Sequence, residues 1–267
     1  MKIIVVAPRG KMGKLITQAA ASREDLELVA GLGPKGRDYI GEDLGTVAMT
    51  GRTLGVPVTD DLESVIDRCD AIIDFSTREV SLEVLAAAVA HKKALVCGTT
   101  GFSEDEMARF HEAAKTIPML YAANTSKLVN VMNKLLEMVS RTVGDELDIE
   151  ILEMHDQWKK DVPSGTSREM GEIMAHALGK ELEDIAVYGR EKGENPRKPG
   201  TIGYHSLRAG NIPSSHTVYF GGLGERLEIT HHSYNWECFA RGAVDCGLFL
   251  ADKEPGWYTI GDVLHLS

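Results

Sequence analysis

The chain opens with a β-branched run, Lys2-Ile3-Ile4-Val5-Val6, that passes through Ala7-Pro8-Arg9-Gly10-Lys11-Met12-Gly13 into an apolar pattern at helical spacing on Leu15, Ile16 and Ala19. The run reads as a strand and the spacing after the turn as a helix, together a βα unit. Strand, glycine turn and helix in that order are also the setting of a dinucleotide fingerprint. Gly10 would let the backbone approach a pyrophosphate, Gly13 would let the helix pack close on the strand, and the helix N-terminus would face the phosphates. The first position of the usual glycine triplet is Ala7, so a plain βα turn stays open as the alternative.

Further strands follow over residues 26–32, 71–76, 94–97 and 119–121, separated by helical patterns. Three of them end in small polar residues: Asp74-Phe75-Ser76, Gly98-Thr99-Thr100-Gly101-Phe102 and Ala122-Ala123-Asn124-Thr125-Ser126. In a doubly wound fold these turns share the carboxyl edge of the sheet, where ligands bind. After residue 32, where an NAD site usually carries an acid for the ribose hydroxyls, the chain reads Gly33-Pro34-Lys35-Gly36-Arg37. Lys35 and Arg37 would suit a 2′-phosphate, so the reading leans to NADPH over NADH. A glycine-rich loop that touches nothing is the alternative.

A helical pattern runs from Lys127 to Val143, and the character of the chain then changes. A strand over residues 149–153 delivers Glu153-Met154-His155-Asp156-Gln157-Trp158-Lys159-Lys160-Asp161-Val162-Pro163-Ser164-Gly165-Thr166, with a helix expected over 167–178. His155 and Lys159 offer a proton and a positive charge, and the Pro-Ser-Gly-Thr turn offers backbone amides to an anion such as a carboxylate. A solvated charge cluster is the plain alternative. Residues 189–200 read as a mobile loop. The runs 205–208, 217–220 and 227–230, parted by Gly or Pro turns, carry the signature of an antiparallel sheet, and helical spacing returns over 238–250.

The expected fold is α/β: a Rossmann-like dinucleotide-binding domain from residues 1–126 and 235–267, and an α+β substrate and oligomerisation domain, 127–234, with a mixed, largely antiparallel sheet. A net charge of −11 argues against nucleic acid or an anionic membrane as partner. Arg208 and the 153–166 stretch would then supply local positive charge for a small anionic substrate. The four cysteines form no CxxC pair and the histidines show no metal-ligand spacing, which points to a reduced cytoplasmic protein without a structural metal. The N-terminus enters a strand rather than a signal peptide, and no apolar run is long enough to span a bilayer. His231 and His232 read as structural, and Trp158 and Trp236 as packing residues.

With these segments in place, the chain resembles the dihydrodipicolinate reductase (4-hydroxy-tetrahydrodipicolinate reductase) family of the lysine and diaminopimelate pathway. The resemblance covers essentially the whole length, through the Pro8-to-Gly13 turn, Asp74-Phe75-Ser76, Gly98-Thr99-Thr100-Gly101-Phe102, Ala122-Ala123-Asn124, Glu153-x-His155, Lys159-x-Asp161-x-Pro163-Ser164-Gly165-Thr166, Arg208-Ala209-Gly210 and the 224–231 strand. It implies a homotetramer, NAD(P)H as hydride donor and a cyclic imine dicarboxylate as acceptor. It also implies His155 as proton donor/acceptor and Lys159 as catalytic lysine. Gly165 and Thr166 would hold a substrate carboxylate, and residues 7–12, 98–100 and 122–125 would hold the cofactor.

The departures cluster at the ligand walls. Asp156 stands where the family has a second, substrate-contacting histidine, and it would repel a dicarboxylate unless paired with Lys159 or Lys160. Thr125 replaces an aromatic, Lys127-Leu128 a Val-Gly, Asn235-Trp236 a Ser-Arg, Ala7 a glycine and Gly33 an acid. The resemblance therefore implies the pathway reductase first, with Lys127 as a substitute anion-binding group. Two alternatives remain open: a divergent relative reducing another imine or enone, and a nucleotide-binding protein that has lost turnover.

Overall fold

A computed structural model describes residues 1–266 and divides into two compact units, Met1–Lys127 with the chain from Trp236 onward, and Leu128–Asn235. The elements of the first unit are β1 (Lys2–Val6), α1 (Lys11–Ala21), β2 (Glu27–Leu32), α2 (Leu44–Val47), β3 (Val58–Thr59), β4 (Ala71–Asp74), α3 (Arg78–Ala90), β5 (Ala94–Cys97), α4 (Glu104–Ala113) and β6 (Pro118–Tyr121). The second unit carries α5 (Lys127–Val143), β7 (Asp148–His155), α6 (Gly165–Ala177), α7 (Leu182–Ile185), β8 (Ala186–Tyr188), β9 (Ile202–Arg208), β10 (Ser214–Gly221) and β11 (Arg226–Ser233). The chain then returns with α8 (Glu237–Leu250), β12 (Gly256–Tyr258) and α9 (Ile260–Val263).

In the first unit all strand pairings are parallel and the order is β12-β6-β5-β4-β1-β2-β3. The chain winds outward from β1 in one direction and from β4 in the other, so a topological switch point lies between them. Alternation along β1 explains the layering. Ile3 and Val5 join Ile16, Ala243 and Val244 in the core under α1 and α8, while Ile4 and Val6 join Val84, Leu85 and Phe110 under α3 and α4. Both faces are covered, which is why the strands read as unbroken apolar runs. β12 escaped the sequence reading because three residues at a sheet edge carry no periodicity.

The second unit is a five-stranded sheet, β11-β10-β7-β9-β8, with one face packed on α5 and α6. The expectation for the 205–208 run needs correction: β9 pairs parallel to β7 and to β8, and the antiparallel pairings are those of β10 with β7 and with β11. A helical crossover through α6 and α7 separates β7 from β9, and such a connection returns the strand in the same direction. The 189–200 loop, read as mobile, is tethered: Arg197 reaches Asp148 at 2.6 Å, Glu150 at 3.0 Å and the carbonyl of Thr201 at 2.6 Å, and Arg190 pairs with Glu150. Among the described residues no helix is long and apolar enough to cross a membrane.

Candidate functional site

Two regions gather the residues singled out from sequence, one in each unit. In the first unit, residues 7–12 form the β1–α1 turn. Ala7 sits at φ 53°, in the left-handed region that an alanine adopts only under constraint. Gly13 is dictated by this turn: a Cβ there would lie 2.0 Å from the Ala7 carbonyl oxygen and 3.0 Å from Pro8 Cα. Gly10 is the N-cap of α1 with no side-chain cap, and the first turn holds no acid. An eleven-residue helix with an uncapped, acid-free start at the carboxyl end of a central parallel strand fits a dinucleotide phosphate.

Around the turn, side chains are mostly spoken for. Arg9 pairs with Asp38 at 2.7 Å and lies over the Tyr39 ring, and Lys11 Nζ stands 3.5 Å from the Trp236 ring centroid. Met12 packs at the margin of the core under α1. Lys35 and Arg37 lie in the exposed loop after β2, and the Tyr39 ring fills the space beside Gly33, where an acid would have to project. On the β5 turn, Thr99 is buried and its hydroxyl accepts from Ser76 N and Ser81 Oγ, whereas Thr100 is exposed. On the β6 turn, Ala122 is buried, Ala123 exposed, and Asn124 Oδ1 accepts from Ser126 N. Thr125 is 1% exposed and donates to the Phe239 carbonyl at 2.7 Å. Lys127 pairs with Asp245 at 2.7 Å.

In the second unit the period of a strand decides the site. Ile149, Ile151, Glu153 and His155 are the buried residues of β7, all on its helix-covered face. Register then aligns neighbours on that face: His216 of β10 and Ser206 of β9 flank Glu153, and Arg208 flanks His155. Glu153 is 1% exposed. Its Oε2 accepts from Ser164 N at 3.0 Å and Ser167 Oγ at 2.8 Å, and its Oε1 from Arg208 at 3.0 Å. Burial alone would raise the proton affinity of this carboxyl, but hydrogen bonds led by Ser164, Ser206 and Ser167 outweigh it and hold the pKa at about 2.

His155 Nδ1 is buried, lies 3.6 Å from Glu153 Oε2 and has no hydrogen-bond partner among the described residues. Burial lowers its pKa, Glu153 and Asp161 pull it up, and Lys159 and Arg208 push it down, with a net shift below the ordinary imidazole value. His216 stands edge-on to it with ring centroids 5.2 Å apart, and burial followed by the neighbouring His155 depresses it to about 3. Glu153, His155 and His216 could face a single ion by distance. Both Glu153 oxygens are already hydrogen-bonded and a guanidinium sits 3.0 Å away, so the cluster reads as a hydrogen-bonded network.

Gly165 and Thr166 are the first two residues of α6, which begins two residues earlier than expected, with Ser164 as N-cap accepting from Ser167 N. Their amides belong to the first turn of the helix. A Cβ on Gly165 would meet nothing within 4 Å, so packing does not require this glycine. Lys159 is held by both oxygens of Asp161, at 2.8 and 2.9 Å. Asp156 is paired with neither lysine side chain; its carboxylate accepts from Trp158 N at 2.8 Å. Arg208, expected to offer charge to a ligand, is committed to Glu153 and to the carbonyls of Asp161 and Lys159. Trp158, expected to pack, is 68% exposed, whereas Trp236, 40% exposed, lies against the Phe239 ring and Lys11. Glu153 and His216 carried no assigned role in the sequence reading. The available signal was a carboxylate and an imidazole at apolar-phase positions of β-patterned runs.

The family model for the N-terminus of dihydrodipicolinate reductase matches residues 1–125, and that for its C-terminus matches residues 128–264. A 4-hydroxy-tetrahydrodipicolinate reductase of Pseudomonas fluorescens is 45% identical over 99% of this chain and 99% of its own length. One of Hahella chejuensis is 42% identical over 100% and 99%. The dipicolinate-bound dihydrodipicolinate reductase of Paenisporosarcina sp. TG-14 superposes with a TM-score of 0.77 over 97% of both chains at 24% identity, a likeness of fold.

Proposed function

The chain belongs to the dihydrodipicolinate reductase family, and from that premise we propose how its residues serve the reduction of 4-hydroxy-tetrahydrodipicolinate to tetrahydrodipicolinate by a reduced nicotinamide dinucleotide. The full-length identity of 42–45% to reductases of that name carries the reading. It is an NAD(P)H-dependent oxidoreductase of the lysine and diaminopimelate pathway. The cofactor would supply the hydride, delivered to a ring carbon of the conjugated imine that the substrate becomes on losing its 4-hydroxyl as water.

In this reading the turn Ala7 to Met12 holds the pyrophosphate by backbone, with the β5 and β6 turns, Gly98 to Thr100 and Ala122 to Asn124, lining the rest of the dinucleotide. The α6 start receives a substrate carboxylate on the Gly165 and Thr166 amides. Lys159, released from Asp161 when the anion arrives, neutralises it, and His155 delivers a proton to the charge that develops. The exposed Lys35 and Arg37, with no acid at Gly33, favour NADPH. We further propose a cytoplasmic homotetramer, testable by light scattering of the purified protein. The central test is steady-state oxidation of NADPH and NADH with freshly generated 4-hydroxy-tetrahydrodipicolinate. Turnover of roughly 1 to 1,000 per second is expected, with Lys35→Ala weakening NADPH more than NADH. No turnover in a protein that still binds the cofactor would mean that Asp156 and Trp236 serve another acceptor.

A further inference from the structure

We infer that Glu153 is the positioning residue of the proton-transfer site: it fixes the proton of His155 on Nδ1 and ties to that imidazole both the anion-receiving start of α6 and the segment that carries Lys159. This rests on the role proposed for His155. The geometry is that of one buried carboxylate on β7 joining β9 to the start of α6. From one oxygen it holds Ser164 N and Ser167 Oγ, and so the first turn of α6. From the other it holds Arg208, whose guanidinium in turn donates to the carbonyls of Asp161 at 2.7 Å and Lys159 at 3.4 Å. Every residue proposed to touch the substrate in this unit is thereby indexed to a single side chain.

The same carboxylate decides the tautomer. His155 Nδ1 faces Glu153 Oε2 at 3.6 Å, buried and with no other partner among the described residues. A lone pair on Nδ1 would be aimed at a carboxylate, which is repulsive, whereas an N–H there is attracted. The neutral imidazole therefore keeps its proton on Nδ1, and Nε2 is left to exchange a proton with a ligand. The charged and titratable groups around His155 are Glu153, Lys159, Asp161, Arg208 and, across the sheet, His216 with His231 behind it. The imidazole at His216 is neutral and the two cations oppose protonation of His155. Glu153 is the nearest group that favours it.

The test is the pH dependence of kcat/KM together with nitrogen-15 NMR of imidazole-labelled protein, in which His155→Gln identifies the His155 signals. A proton donor loses activity as pH rises through its pKa. Glu153→Gln removes the anion and is expected to move that alkaline limb down by about one pH unit or more, while Glu153→Asp restores it towards the parent. In the parent protein the neutral His155 is expected to show a protonated Nδ1. An unmoved limb in Glu153→Gln overturns the inference, whatever happens to kcat. If that variant does not fold, the parent spectrum decides: a neutral His155 protonated on Nε2 overturns it. His155→Ala keeping full turnover would instead sink the proton-donor reading itself, a separate outcome from a lost Glu153 effect.

Discussion

The two helix starts of this molecule are built on different physics. Helix α1 begins at Gly10 with no side-chain cap and a turn shaped by Ala7 and Gly13, so what it offers a phosphate is backbone. Helix α6 begins at Ser164, whose hydroxyl caps Ser167 and whose amide is bonded to a buried carboxylate that also holds Arg208. A backbone cradle tolerates changes of side chain, and Ala7 in place of a glycine is one such change. A charge network tolerates few, because each member leaves another buried and unpaired when it is removed.

The largest effect expected from this contrast is on chemistry. His155→Ala should lower turnover by about 100- to 10,000-fold while a fluorescence titration finds NADPH binding intact. Undiminished turnover would move the proton transfer away from the second unit. Next, Arg208→Ala should destabilise that unit by about 3 kcal/mol, since Glu153, 1% exposed, keeps its charge and loses its guanidinium. Chemical denaturation checks this, and a variant as stable as the parent would show that the serine donors suffice.

In the first unit, Gly13→Ala puts a Cβ 2.0 Å from the Ala7 carbonyl oxygen, where only the backbone can give way. A loss of about 1–3 kcal/mol and weaker cofactor binding are expected, with substrate-site residues unaffected. Unchanged cofactor affinity would separate this turn from the dinucleotide.

The smallest effect lies on the surface of the first unit, where His91 bridges Asp67 at 2.9 Å and Glu63 at 2.8 Å. These hydrogen bonds, Asp67 first, raise its proton affinity. A raised folded pKa gives stability that is full below the unfolded value of 6.5 and is lost as pH rises through the higher folded value. The melting temperature of His91→Gln should therefore fall below that of the parent at about pH 6 and converge with it above about pH 8. A difference that persists on the alkaline side would mean that packing, not charge, is what His91 supplies.

Local pattern determined a good part of this protein from sequence. The β-branched runs, the helical spacing of Leu15, Ile16 and Ala19, and the glycine turn of residues 7–13 specify a doubly wound unit, because period and turn chemistry act between neighbours in the chain. His155, Lys159, Gly165 and Thr166 could be singled out together for the same reason, lying within twelve residues of the chain. What only the tertiary structure decided was the partner of each charge. Asp156 turned to a backbone amide and Lys159 to Asp161; Lys127 went to Asp245, and Arg208 went to Glu153. Glu153 and His216 stand 63 positions apart in sequence and meet only because β7 and β10 pair in one register. Pairing across a sheet is set by long-range packing, and a carboxylate acquires its role from the donors that the fold brings around it.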